Sequence, residues 1–249
     1  MEADSLTRPG TSHHASEVAR FALTMTGSDI ELEVLLFDLE RCPGEFSLLN
    51  SDEIERARGF ARESDRIHFV ARRSLLRSLL SERSGLAPDM IELDAPDRRK
   101  PSLPAGNELR FNASRSDRWF AVVLCESTIE PGIDIEVLRE LPDADSISRR
   151  ILSVEEVRTL GDDFIHDSGS LLRIWTRKEA VLKSLGTGLT IDPSDVTVPI
   201  EPRLLDGSMA SVRHGDSVNH VTLVEPDPLP DGIRISVGVA DRLIDPIRP

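Results

Sequence analysis

Between Gly132 and Glu136 apolar and acidic positions alternate, so Ile133 and Ile135 project to one side of an extended chain and Asp134 and Glu136 to the other. That period predicts a strand with one buried face. Further along, Leu171, Leu172, Ile174, Trp175, Val181, Leu182 and Leu185 recur at helical spacing, and the helix they predict ends at Gly186, with Gly188 beyond it. Lys178 and Glu179 interrupt the apolar stripe. Glu179 falls between Trp175 and Leu182 and is expected to face inward, where a carboxylate needs a cation or a metal. Lys183 lies one turn later on the same side.

The same reading applied in chain order predicts a strand over Ile30–Leu39, broken by Cys42-Pro43-Gly44, and a helix starting at Ser51. A longer helix runs from Ser64-Asp65 to about Ser84 with Ile67, Val70, Leu75, Leu76, Leu79 and Leu80 on its core face, and Gly85 ends it. Leu109–Asn112 reads as the end of a strand, Ser114-Arg115-Ser116 as a tight polar turn, and Trp119–Cys125 as a buried strand. Two short helices fill Leu138–Leu160, the second opened by a capping box, Ser153-Val154-Glu155-Glu156. Short β-prone runs follow at Val196–Ile200, Met209–Arg213, His220–Val224 and Ile233–Ala240. Residues 1–28, rich in Ser, Thr, His and charge, read as a flexible leader.

Composition narrows the partners. The 249 residues carry 44 acidic against 30 basic side chains, a formal charge of −14, which disfavours nucleic-acid binding. The basic residues are unevenly spread: Arg56, Arg58, Arg62, Arg66, Arg72, Arg73 and Arg77 crowd one segment, and Arg98, Arg99 and Lys100 another. Local basic patches on an acidic chain suit a small polyanion. Cys42 and Cys125 form no metal-binding spacing, and Cys125 is expected as a buried free thiol. No apolar run reaches transmembrane length and no signal-peptide core is visible, so a cytoplasmic protein without membrane contact is expected.

Two carboxylates on one strand face repel each other. A hard cation between them removes that cost, and Mg²⁺ suits all-oxygen ligands. Taken singly, an acidic pair on a strand is ordinarily a solvated face, and a Lys-Glu pair with a lysine four residues on is ordinarily surface ion pairing. Read together, Gly132-Ile133-Asp134-Ile135-Glu136 and Trp175-Thr176-Arg177-Lys178-Glu179-Ala180-Val181-Leu182-Lys183 resemble the signature of the 4′-phosphopantetheinyl transferase family, in its larger, surfactin-synthetase-type branch. The pattern G-(I/V)-D-x-E, then (W/F)-x-x-K-E-(A/S)-x-x-K, is matched without a mismatch. Gly186-Thr187-Gly188-Leu189, Lys100-Pro101 and Phe111-Asn112-Ala113-Ser114-Arg115-Ser116 fit as well, so the resemblance spans roughly residues 50–200.

The resemblance implies an α+β fold of two similar α/β halves related by a pseudo-twofold axis, 29–126 forming the N-terminal half and 127–249 the half with the metal motifs. It implies that Asp134, Glu136 and Glu179 hold Mg²⁺ against the pyrophosphate of coenzyme A. Glu179 is also expected to accept the proton of the attacking serine, and Lys183 and Arg115 to neutralise phosphate oxygens; Lys178 would do the same or orient Glu179. Arg56 resembles the position that meets the 3′-phosphate of coenzyme A, and Arg73 falls at a second basic position. Lys100 and Pro101 would line the nucleotide pocket, with Arg98 and Arg99 adding a phosphate contact where the family has x-Gly. Ser114 and Arg115 stand in the pyrophosphate-binding motif, where Arg115 replaces the usual histidine. A guanidinium can grip phosphate in a bidentate way, but it cannot relay a proton near neutrality.

The implied activity is Mg²⁺-dependent transfer of the 4′-phosphopantetheine arm of coenzyme A to a serine of an acyl or peptidyl carrier protein, of the holo-[acyl-carrier-protein] synthase type. The pathway could be polyketide, non-ribosomal peptide or fatty-acid synthesis. Two other readings stay open: a degenerate homologue that only binds carriers, and another Mg²⁺-dependent phosphoryl-transfer enzyme. A monomer is expected, because a two-half chain can form its own site. For the carrier, the segment with Arg139, Arg149, Arg150, Ile151 and Leu152 offers a basic and apolar patch beside the acidic strand.

Overall fold

The computed structural model describes residues 16–25, 30–93, 100–104, 106–161, 167–205 and 207–241. In chain order the elements are β1 (Glu17–Thr24), β2 (Glu31–Asp38), α1 (Ser51–Arg58), α2 (Glu63–Ser84), β3 (Leu109–Ser116), β4 (Trp119–Glu126), β5 (Glu130–Val137), α3 (Ala144–Ile151), α4 (Val154–Leu160), α5 (Ser168–Leu185), β6 (Val196–Thr197), β7 (Met209–His214), β8 (Ser217–Val224) and β9 (Ile233–Ala240). The fold is α+β. Two compact units form, one from Asp38–Ile91 with the described residues through Val18, the other from Ala19–Phe37 and the chain from Glu92 on. The division read from the sequence between 126 and 127 falls at the β4–β5 connection.

In the first unit α1 begins at Ser51, as predicted, and Asn50 caps it. Asn50 accepts from the backbone of Glu53 at 2.9 Å while the Glu53 carboxylate accepts from the backbone of Asn50 at 3.1 Å. The same carboxylate accepts from Arg77 Nε at 2.8 Å, which joins α1 to α2 through a fully buried guanidinium. Leu49, Ala57, Phe69 and Val70 form the core beside it. Ile67, predicted for the core face of α2, is 44 % exposed, because burial along this helix starts only at Phe69. Gly85 closes α2 in the left-handed conformation at φ 72°.

The second unit holds two sheets, ordered β1-β2-β4-β3 and β5-β9-β8-β7-β6. Ile133, Ile135, Ile235 and Val237 pack with Leu32, Val34, Leu36, Ala121 and Val123. On the other side of the second sheet α5 buries Leu171, Ile174, Val181, Leu182 and Leu185 against Val212, Val221 and Leu223. Three details depart from the sequence reading. Glu17–Thr24, assigned to the leader, forms β1. Ser114-Arg115-Ser116 is not a turn but the end of β3; the hairpin turns at Asp117-Arg118, where Asp117 takes φ 52°. The strand predicted over Val196–Ile200 is confined to Val196–Thr197. Cys125 is buried and its thiol is pushed by burial up to about 11.

Candidate active site

The face of β5 opposite Ile133 and Ile135 is left for α5, and glycine sets how closely the helix approaches. A Cβ on Gly132 would lie 2.2 Å from Ser184 N and 2.3 Å from Ala180 O. A Cβ on Gly238, its register partner on β9, would lie 2.8 Å from the same carbonyl. The helix backbone therefore rests on the sheet at these two glycines, and Lys183 reaches Asp134.

Asp134 is 5 % exposed. Its Oδ1 accepts from Lys183 Nζ at 2.6 Å and from Ser114 Oγ at 2.8 Å, and Lys183 also donates to Ser114 Oγ at 3.0 Å. Glu136 Oε2 accepts from Ser116 Oγ at 2.9 Å and from Arg139 at 3.2 Å. Asp134 Oδ2 and Glu179 Oε1 are buried without a hydrogen-bond partner among the described residues. Burial pushes the Asp134 carboxyl above its ordinary value, against the pull of Lys183, and Glu136 adds to the rise. Burial raises Glu179 too, against Lys183, with Asp134 and Glu136 adding.

Among the described residues no three His, Cys, Asp or Glu side chains lie close enough together to enclose an ion. Mg²⁺ does not need such a cage, because it keeps several waters and takes one or two carboxylates. Two orphaned carboxylate oxygens, on Asp134 and Glu179, both raised in pKa by burial and by the neighbouring Glu136 charge, fit a hydrated hard cation.

The other expected site residues divide. Ser114, Glu179 and Lys183 are brought to Asp134. Arg115 is exposed and lines a cleft of about 480 Å³ with Ser116, Asp117, Glu136, Val137 and Arg139. Lys178 is not brought to the cluster. It is fully buried, pairs with Glu156 at 2.7 Å, and donates to the carbonyls of Ile151, Pro193 and Val196. A lysine so enclosed has no donor left for a phosphate, and its expected place among the coenzyme ligands is corrected to a structural one. Lys100 donates to Glu130 at 2.8 Å and to the Pro131 carbonyl at 2.6 Å, so it fastens its own segment, with Pro101, to the start of β5. Arg98 and Arg99 lie outside the described residues. Arg56 and Arg73 belong to the first unit, where their guanidinium groups lie 5.3 and 5.5 Å from the centre of the Phe69 ring.

A second cleft of about 670 Å³ shares Glu136 and Arg139 with the first. Leu141, Ile147, Ile151, Leu171, Leu172 and Trp175 line its apolar part, and Arg149 and Arg150 its basic part. Leu152 is buried in the adjoining core.

A family model described as the 4′-phosphopantetheinyl transferase superfamily matches residues 130–223, the span that carries β5 and α5. A 4′-phosphopantetheinyl transferase from Nostoc, HetI, is 34 % identical over 170 residues, 65 % of this chain and 70 % of the relative. The chain belongs to the 4′-phosphopantetheinyl transferase superfamily. A second relative of this superfamily, from Bacillus subtilis, is 28 % identical over 177 residues, 68 % of this chain and 72 % of its own. The transferase AcpT from Salmonella typhi is 33 % identical over 125 residues, 49 % of this chain and 63 % of its own. Asn112 and Ser116 stand in a block matched by the sequence reading, which gave neither of them a role at the site. The signal was available: Asn112, Ser114 and Ser116 repeat with the same period as Gly132, Asp134 and Glu136.

Proposed function

We propose that this chain moves the 4′-phosphopantetheine arm of coenzyme A to a serine hydroxyl of an acyl or peptidyl carrier protein, as a monomeric, cytoplasmic, surfactin-synthetase-type transferase. The observation that carries this reading is the pair of unpartnered buried oxygens on Asp134 and Glu179 beside Lys183. The names of the relatives support the group transferred. In the reaction the serine oxygen bonds to the phosphorus of the pantetheine phosphate, the bridging P–O bond breaks, and 3′,5′-adenosine bisphosphate leaves.

Asp134, Glu136 and Glu179 would hold Mg²⁺, which when bound would polarise the phosphate and offset the leaving-group charge. Glu179, whose raised carboxyl pKa brings it toward the useful range for a base, would take the serine proton directly or through water. Lys183 would exchange Asp134 for a phosphate oxygen, with Arg115 supplying a second cation from the adjoining cleft. On the sequence resemblance alone, Arg56 and Arg73 are assigned to the nucleotide end, and the pseudo-twofold relation of two halves belongs to the same reading. The apolar cleft with its arginine rim suits a carrier, because carrier domains are generally acidic and this chain is acidic elsewhere. The reading is tested by release of 3′,5′-adenosine bisphosphate from coenzyme A. Release should require both carrier and Mg²⁺ and be lost in Asp134→Ala; release without a carrier would point to a different phosphoryl transfer.

A further inference from the structure

The strands that carry the serines and the carboxylates are edges of different sheets. β3 ends the four-stranded sheet and β5 ends the five-stranded one, and neither is the other's backbone partner. Three side chains on one face of β3 bridge the gap. Asn112 Oδ1 accepts from Ile133 N at 3.0 Å, Ser114 Oγ donates to Asp134 at 2.8 Å, and Ser116 Oγ accepts from Val137 N at 3.1 Å while donating to Glu136 Oε2 at 2.9 Å. Asn112 and Ser116 lie four residues apart, as do Ile133 and Val137, so the side-chain bridges keep the register a backbone ladder would have fixed.

The chemistry at Ser116 is directional. A hydroxyl has one proton. Because Val137 N–H points at the oxygen, that proton is left for Glu136. Ser114 behaves alike: Lys183 donates to its oxygen and its own proton goes to Asp134. Each serine thus holds one oxygen of one carboxylate, and at Asp134 the other oxygen is the orphaned one.

Resting on the cation reading above, we infer that Ser116 is a positioning residue that fixes Glu136 for the cation, with Asn112 and Ser114 holding the rest of β5 in register. Partners that orient a ligand commonly change metal affinity by about 10- to 100-fold when removed. A merely structural serine would lower stability without touching that affinity.

The test is Mn²⁺ binding to the full chain in the presence of coenzyme A, read by electron paramagnetic resonance, alongside thermal unfolding without metal. Ser116→Ala is expected to weaken Mn²⁺ by about 10-fold or more, and Ser116→Thr, which keeps the hydroxyl, to restore most of it. Should Ser116→Ala unfold, Glu136→Gln gives a second measurement. Its amide can still accept from Ser116 but carries no charge, so a loss of Mn²⁺ affinity with an unchanged melting temperature supports the inference. Wild-type affinity in folded Ser116→Ala, or in Glu136→Gln, overturns it while leaving Asp134 and Glu179 as ligands. A wild-type chain that takes up no Mn²⁺ overturns both the cation reading and this inference.

Discussion

Gly132 lies against the backbone of α5 so closely that a Cβ would meet Ala180 O at 2.3 Å. The atoms in the way are backbone, so no rotamer change relieves the clash. Gly132→Ala is therefore expected to push α5 off β5. Overpacking of this kind costs about 1–3 kcal/mol, and each kcal/mol lowers the melting temperature of a chain this size by about 2–4 °C. Because α5 carries Glu179 and Lys183, the variant should also lose Mg²⁺-dependent activity at temperatures where it is fully folded. Calorimetry together with the transfer assay checks both.

Lys178 sits in the same sequence motif as Glu179 but does different work. Its ammonium joins Glu156 and three carbonyls, and Glu156 in turn caps α4 at Ser153 and accepts from Val198 N at 2.9 Å. Lys178→Met would leave a buried carboxylate and three carbonyls short of a donor, a loss of about 3–5 kcal/mol. The expected outcome is a large fall in denaturant midpoint with the KM for coenzyme A unchanged in the folded fraction. A raised KM at unchanged stability would return Lys178 to the coenzyme site.

Burial holds Asp134 and Glu179 above their ordinary values of 3.8 and 4.5. In the metal-free protein the folded state then keeps these protons to higher pH than the unfolded chain does. The stability they contribute is present below the ordinary values and is lost as pH rises through the raised ones. A cation needs both groups ionised, so protons compete with it. The rise in melting temperature produced by Mg²⁺ should grow as pH increases through the raised values and then level off. Melting curves with and without Mg²⁺ between acidic and neutral pH check this; a gain that shrinks with pH would contradict it.

Much of this was readable in the chain. The alternation of Ile133 and Ile135 with Asp134 and Glu136 gave the two faces of β5, the Ser153–Glu156 box is present with both hydrogen bonds, and Gly186 ends α5 at φ 72°. What could not be read depends on where other elements converge. The position of Lys178 on its helix says that it points inward, but not that carbonyls of Ile151, Pro193 and Val196 meet it there. Ser116 was read as a turn residue because the hairpin could close at several positions, and only the pairing of Ser116 with Trp119 puts it opposite Glu136. Glu17–Thr24 packs Ala19, Phe21 and Leu23 against the core, but Val18 and Ala22 on its exposed face blur the alternation that would have marked it as a strand.

Arg149 is exposed, pairs with Asp145 one turn back at 3.1 Å, and borders the apolar cleft with Arg150. An exposed pair of this kind contributes little to folding. Reversing both arginines to glutamate should therefore leave stability and coenzyme A affinity unchanged and raise the KM for the carrier. Steady-state kinetics with the carrier varied at saturating coenzyme A decides it, and an unchanged carrier KM would move docking off this cleft.

Transfer to a carrier is read directly from the intact mass of an apo carrier domain incubated with this chain, coenzyme A and Mg²⁺. The carrier should gain one phosphopantetheine group, a carrier lacking the acceptor serine should gain nothing, and Asp134→Ala and Glu179→Ala should abolish the gain. A carrier mass that stays at the apo value, where a known transferase converts the same sample completely, would contradict it.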